Sequence, residues 1–223
     1  FQAMPPFVRM VPSEYATIQS AINAAGPGDT ILVAQGDYVE NLNFLGKPLT
    51  LISEAGRDLT TIRPANPLND IIVIDQAQNC VISGFTIRDV NHPASVGIEC
   101  IDCELTIRNN LFTNNREAAV WIRDGGSVVA ENNEFRANIS GGDAATLLCR
   151  GYSRAVVIGN VFRDNVSSWA GGGIHFSSGE YAEVVRNLVL RNGGGTDVGG
   201  GIFVSGVDTA LIVNNTIDSN AAN

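Results

Sequence analysis

One phrase of the sequence returns at nearly constant intervals, and that recurrence limits the fold more than anything else in the chain. It reads IRNNLFTNN from Ile107, AENNEFRAN from Ala130, IGNVFRDN from Ile158, VRNLVLRN from Val185 and VNNTIDSN from Val213, with a divergent earlier copy, ISGFTIRDV, from Ile82. Aligned on one position, the copies place Phe85, Asn110, Asn133, Asn160, Asn187 and Asn215 at steps of 25, 23, 27, 27 and 28 residues. Periods of that length mark solenoids, in which each repeat buries its apolar face only by stacking on its neighbours.

Within each copy apolar residues alternate: Leu105, Ile107 and Phe112, then Val128, Ala130 and Phe135, then Ala155, Val157 and Phe162. Alternation predicts short strands with one face buried. Leucine-rich repeats share the period but need a Leu-x-x-Leu-x-Leu frame and a helical half, and neither is present. Three strands and three turns per coil fit, giving an all-β parallel β-helix of about eight coils, one domain over residues 1–223.

The asparagines then have a reason. An inward amide at a turn stays paired only if the same residue one coil away donates to it or accepts from it. Asn110, Asn133, Asn160, Asn187 and Asn215 are predicted to form one ladder; Asn115, Asn138, Asn165, Asn192 and Asn220, five residues further on, form a second. Asn138-Ile-Ser and Asn165-Val-Ser are formal glycosylation sequons, but ladder positions leave no room for glycan.

The N-terminal part differs. Ile18, Ala21, Ile22 and Ala25 share one helical face between Ser13 or Thr17 as N-cap and a stop at Gly26-Pro27, which predicts a cap helix within residues 11–26 over one end of the solenoid. Strands are expected at Ile31–Val33, Leu49–Ile52, Ile71–Ile74 and Val81–Ile82. At the other end LIVNNTIDSNAAN, from Leu211, stops inside a repeat with no helix, proline or charge cluster. The expectation is that more chain continues the solenoid or that an uncapped coil docks end to end on another molecule.

Composition excludes some functions. No apolar run approaches the roughly 18 residues of a membrane span, and the opening FQAMPPFVRM lacks the basic flank and apolar centre of a signal peptide, so any leader has been removed. Fourteen basic against twenty-three acidic residues give a net charge of −9, which opposes nonspecific attraction to nucleic acid or anionic lipid. Among four cysteines, Cys100-Ile-Asp-Cys103 alone is a weak metal or redox signal, and no metal site is assigned. Cys80 lies one coil before Leu105, which brings it near Cys103, so a single Cys80–Cys103 bridge is predicted, with Cys100 and Cys149 as buried thiols.

Residues 11–62 join a Thr-Ile-Gln-x-Ala-Ile helix, a Gly-Asp-Thr-Ile strand and a Gly-x-Tyr-x-Glu turn. This phrase resembles the opening of the pectate-lyase-like superfamily of right-handed parallel β-helix proteins, and the resemblance implies a right-handed coil and an extracellular or cell-surface setting, with the periplasm also admitted. It does not settle chemistry, since one fold hosts many functions. The Gln-Ala-Val-Ala and Asp-Phe-Ile phrases of pectin methylesterases are absent, as are the polygalacturonase Asn-Thr-Asp and Gly-His-Gly and the alginate-epimerase Asp-Pro-His. Of the pectate-lyase phrase Trp-Ile-Asp-His only Trp121 and Ile122 occur, followed by Arg123-Asp124.

Two outward columns remain as candidates. Arg88, Arg136 and Arg163 fall three after the ladder position, with Asp89 and Asp164 beside them. In polyuronate lyases an arginine or lysine is the base at the sugar α-carbon and acidic residues hold calcium, so these residues are the material of a catalytic face; solvated ion pairs are the other reading. Glu99, Trp121, Leu147, His175 and Phe203 form the second column, expected to face outward as a stripe for protein or carbohydrate, unless the register is misjudged. Val129, Val156, Leu211, Ile158, Val185 and Val213 add an apolar face open to a partner or to self-association. The reading is therefore a secreted structural, adhesive or carbohydrate-contacting protein without a recognisable catalytic centre or cofactor. Its alternative is a lyase or hydrolase of acidic polysaccharide, with calcium as the cofactor that alternative admits.

Overall fold

The computed structural model describes residues 6–141, 146–195 and 199–222. Its strands pair in parallel, in sheets of 14, 8 and 4 strands that run along one stack. The eight-stranded sheet takes one strand from each coil, from Gly36–Val39 to Thr216–Asp218, which agrees with the expected coil count. Coils meet in the predicted register: Leu105 lies between Cys80 and Val128, and Phe112 between Ile87 and Phe135. The inward column of the eight-stranded sheet packs as a stack of rings, with Phe112, Phe135 and Phe162 centroids 4.7 and 4.6 Å apart. That spacing is the inter-strand distance itself, so the side chains repeat the spacing of the backbone beneath them.

Both asparagine ladders are present. The Asn110, Asn133, Asn160 and Asn187 side-chain amides donate to the Oδ1 of the next ladder residue at 3.0–3.2 Å, ending on Asn215. Asn115, Asn138, Asn165 and Asn192 do the same at 2.8–3.1 Å, ending on Asn220. The residue before each rung of the first ladder is left-handed, from Asn109 (φ 57°) to Asn214 (φ 56°). This bend turns the next side chain inward, and the ladder satisfies the amide it buries. The divergent copy keeps the bend without the amide: Gly84 precedes Phe85, whose backbone N–H donates to Asn110 Oδ1 at 3.0 Å.

The opening phrase closes the first end. Thr17 caps the helix Ile18–Ala24 in a reciprocal box with Ser20, and the Glu40 carboxylate accepts from the Ile18 and Gln19 N–H groups, each at 2.9 Å. Ile18, Ala21 and Ile22 are buried against the stack. Asp29 ties the entering chain down, accepting from Phe7 N, Gly26 N and Arg9. Burial works against its ionisation, yet these donors hold its carboxyl below the ordinary value.

The cysteine pairing differs from expectation. Cys100 is joined to Cys103, with Cα atoms 5.6 Å apart, while Cys80 and Cys149 are buried thiols. The strands Ile98–Ile101 and Glu104–Arg108 meet at a corner where Asp102 is left-handed (φ 46°), and that corner brings the flanking cysteines together. Cys80 is instead the partner of Leu105, and its thiol is directed at the Lys47 carbonyl, 3.7 Å away. In the next-to-last coil the two strands fuse into Ile174–Val185, whose halves pair with Leu147–Arg150 and Arg154–Ile158.

Candidate functional site

The outer face of the broad sheet carries one unbroken column: Asn43, Val73, Glu99, Trp121, Leu148, His175 and Phe203. Leu148, not Leu147, stands in it. Leu147 pairs with Val120 and Ile174 and is wholly buried, because adjacent leucines offer no alternation by which to choose the inward one. The stripe is also less open than expected. His175 is only 2% exposed, and Leu148 packs with Val96, Ala118 and Trp121 into a small second apolar cluster roofed by the incoming loops. Trp121 and Phe203 stay partly accessible, with Phe203 edge-on to His175 at 4.8 Å.

The polar end of the column gathers more chemistry. Arg123, one coil beyond Glu99, donates from Nε to Glu99 Oε1 at 2.9 Å and from Nη1 to Asp124, and its guanidinium lies 5.3 Å from the centre of the Trp121 ring. The indole N–H of Trp121 is buried and has no hydrogen-bond partner among the described residues. Asp70, just before the strand Ile72–Asp75, accepts from Val96 N at 2.6 Å and lies near the Glu99 carboxyl, which acts on its ionisation. Burial pushes the Asp70 carboxyl up to about 6; the Glu99 charge adds to that shift, while the Val96 amide and Arg123 oppose it. A groove of about 380 Å³ opens beside the pair, lined by Asn41, Asn43, Leu68, Asn69 and Asp70.

Two carboxyls, one of which keeps its proton toward neutral pH, are the equipment of general acid and base catalysis. The aromatic face and the guanidinium are equipment for holding a sugar ring and its oxygens. Sequence reasoning singled out Trp121 and placed Glu99 in its column without giving it a role, and it missed Asp70 and Arg123. Glu99 was the signal, as the one carboxylate in that column.

Arg88, Arg136 and Arg163 occupy a single column of the eight-stranded sheet, with Thr113 between the first two. They belong to a different sheet from the Asp70–Glu99 pair. Arg163 donates to Glu134 Oε1 at 2.7 and 3.1 Å, whereas Arg88 and Arg136 approach Asp89 and Glu134 only to 3.5 and 3.9 Å. Asp164 gives both oxygens to Arg191, at 2.7 and 3.0 Å, which holds its carboxyl below the ordinary value, with Arg163 adding to the effect. Among the described residues no group of three or more His, Cys, Asp or Glu side chains is placed to hold a metal ion. No helix among them is long and apolar enough to cross a membrane.

Residues 70–223 match the family described as right handed beta helix region. Among curated proteins no match was found. The structure is similar to a mutant pectin methylesterase in complex with a hexasaccharide (TM-score 0.55, 16% identity, 85% of this chain and 67% of that one). It is also similar to the pectin methylesterase of Aspergillus niger (TM-score 0.55, 13% identity, 98% and 88%). An alginate lyase of Paenibacillus sp. strain FPU-7 gives a TM-score of 0.51 at 13% identity, covering 96% of this chain and 99% of that one. At such identities the likeness is one of fold.

Proposed function

We propose, from the premise that this chain belongs to the right-handed β-helix family, that it is an extracellular protein holding carbohydrate on the outer face of its broad sheet, at Asp70, Glu99, Trp121 and Arg123. The observation that carries the reading is the half-buried Trp121 ring, with Arg123 over it, Glu99 one coil away and Asp70 two coils away at an open groove. Aromatic faces meet the apolar faces of sugars, and charged side chains take the hydroxyls. The Cys100–Cys103 bridge supports an oxidising compartment. A second reading, hydrolysis or lysis of an acidic polysaccharide, is favoured by one observation, the Asp70–Glu99 carboxyl pair.

Pectin and alginate, named in the fold relatives, are the polysaccharides to offer first, each with and without calcium. Calorimetric titration with their oligosaccharides is expected to show binding that weakens about tenfold in Trp121→Ala, as for the loss of one stacked aromatic contact. Product release abolished by Asp70→Asn or Glu99→Gln, with binding retained, selects the enzyme over the adhesin. Binding indifferent to Trp121→Ala, or none to any polysaccharide offered, overturns the assignment of this face.

A further inference from the structure

The second sheet carries an imbalance of charge that the carbohydrate reading does not use. Glu134 is approached by three guanidiniums. Its Oε1 accepts from Arg163, its Oε2 lies 3.5 Å from Arg57, and Arg136 stands 3.9 Å away without a hydrogen bond. Arg57 is held in place by a further bond to the Asn110 carbonyl at 3.1 Å. Arg163 also donates to Asp164 at 3.4 Å, a carboxylate that it shares with Arg191. Two coils below Arg136, Arg88 has its neighbour Asp89 at 3.5 Å, again without a hydrogen bond.

Such clustering stands out in a chain whose net charge as a whole is −9. Like charges brought together on a folded surface repel unless something of opposite sign lies between them. What lies between Arg88 and Arg136 is Thr113, whose hydroxyl makes no hydrogen bond among the described residues. The three residues line a groove of about 360 Å³ together with Arg57, and Asp58 is its one acidic wall. Strand spacing puts Arg88 and Arg136 about 9.6 Å apart at their backbones, and both side chains are long enough to converge over Thr113. Their side chains are 40 and 42% exposed, so neither is needed to fill space.

We infer that Arg88, Thr113 and Arg136 form a binding site for a carboxylate or sulfate group borne on an acidic polysaccharide. Guanidinium forks suit the paired oxygens of either group, and the hydroxyl donates from the floor. The site is one of binding, with the arginines as cationic partners rather than as bases. It lies on a different sheet from the Asp70–Glu99 groove and stands whether or not that groove holds sugar.

The test uses the whole chain and three probes of equal length: an oligogalacturonate, a sulfated dextran oligomer and a neutral cello-oligosaccharide. Affinity is measured at low and high salt, and the amides of Thr113 and Asn114 are followed by NMR to localise binding. At least one anionic probe is expected to shift those two amides, with an affinity that falls as salt rises. The double variant Arg88→Gln/Arg136→Gln should weaken it tenfold or more. Arg88→Lys/Arg136→Lys should retain part of the affinity, and Arg154→Gln, on another sheet, should leave it unchanged. The arm that binds decides between carboxylate and sulfate. Trp121→Ala should not alter the Thr113 shifts, which separates this site from the first. Equal binding of the neutral probe, undiminished affinity in the double variant, or no shift at Thr113 with either anionic probe would overturn the inference.

Discussion

Asp70 is the residue at which burial and charge act together most clearly. Its carboxyl is partly buried at the edge of a groove, and burial with the nearby Glu99 charge pushes it up to about 6. A carboxyl that holds its proton more tightly when folded adds stability that is complete below its unfolded value near 3.8, and loses it as pH rises through about 6. Asp29 works in the opposite sense, since its depressed value costs stability as pH falls. Only a variant therefore isolates Asp70. Asp70→Asn, which cannot ionise, is expected to gain on the wild type as pH rises, on the order of 2–4 °C in melting temperature between about pH 4 and about pH 8. Parallel melting curves for the two proteins across that range would mean that folding does not raise the Asp70 carboxyl.

At the scale of elements, the corner between two strands is the repeating unit, and its asparagine is the part that most resists change. Asn160 accepts from the Asn133 backbone and side chain at 2.9 and 3.0 Å, and donates to the Ala130 carbonyl and Asn187 Oδ1 at 2.8 and 3.0 Å. Asn160→Leu removes these bonds and leaves the Asn133 backbone N–H buried without its acceptor, at a cost on the order of 1–3 kcal/mol. Arg163→Gln loses a part-exposed ion pair, typically worth less than about 1 kcal/mol. Equal losses for the two variants in denaturant melts would show that the ladder holds no more than a surface pair does. This element was legible in the sequence because a buried amide has to recur at the coil period, and Asn110 to Asn215 do so. Where periodicity was silent, the reading failed. Leu147 and Leu148 are equally apolar, so nothing local marked which one faced the core. Cys100 and Cys103 are joined across a bend that only the left-handed Asp102 creates. Asp70 meets Glu99 across the loop that ends at Val96, a segment outside the repeat, and so the candidate site was only half visible.

The molecule as a whole is a stack in which each coil is stabilised by the coils beside it, so its two ends differ according to what lies on them. At the first, the helix Ile18–Ala24 covers the core, and Ile18, Ala21 and Ile22 are fully buried. The coil from Ile202 to Ala222 continues the same columns, with Ile212 beside Val184 and Ile217 beside Val189. The helix does for the first coil what a further coil does for the others. Ile22→Asp sets a carboxylate against that core and is expected to lower the melting temperature by several degrees, because a buried charge without a partner is among the costliest single changes. Hydrogen exchange should place the loss: the amides of Thr30–Val33 are expected to lose protection well before those of Arg154–Ile158, further along the same sheet. Uniform loss of protection along the stack would show that the cap stabilises no coil in particular.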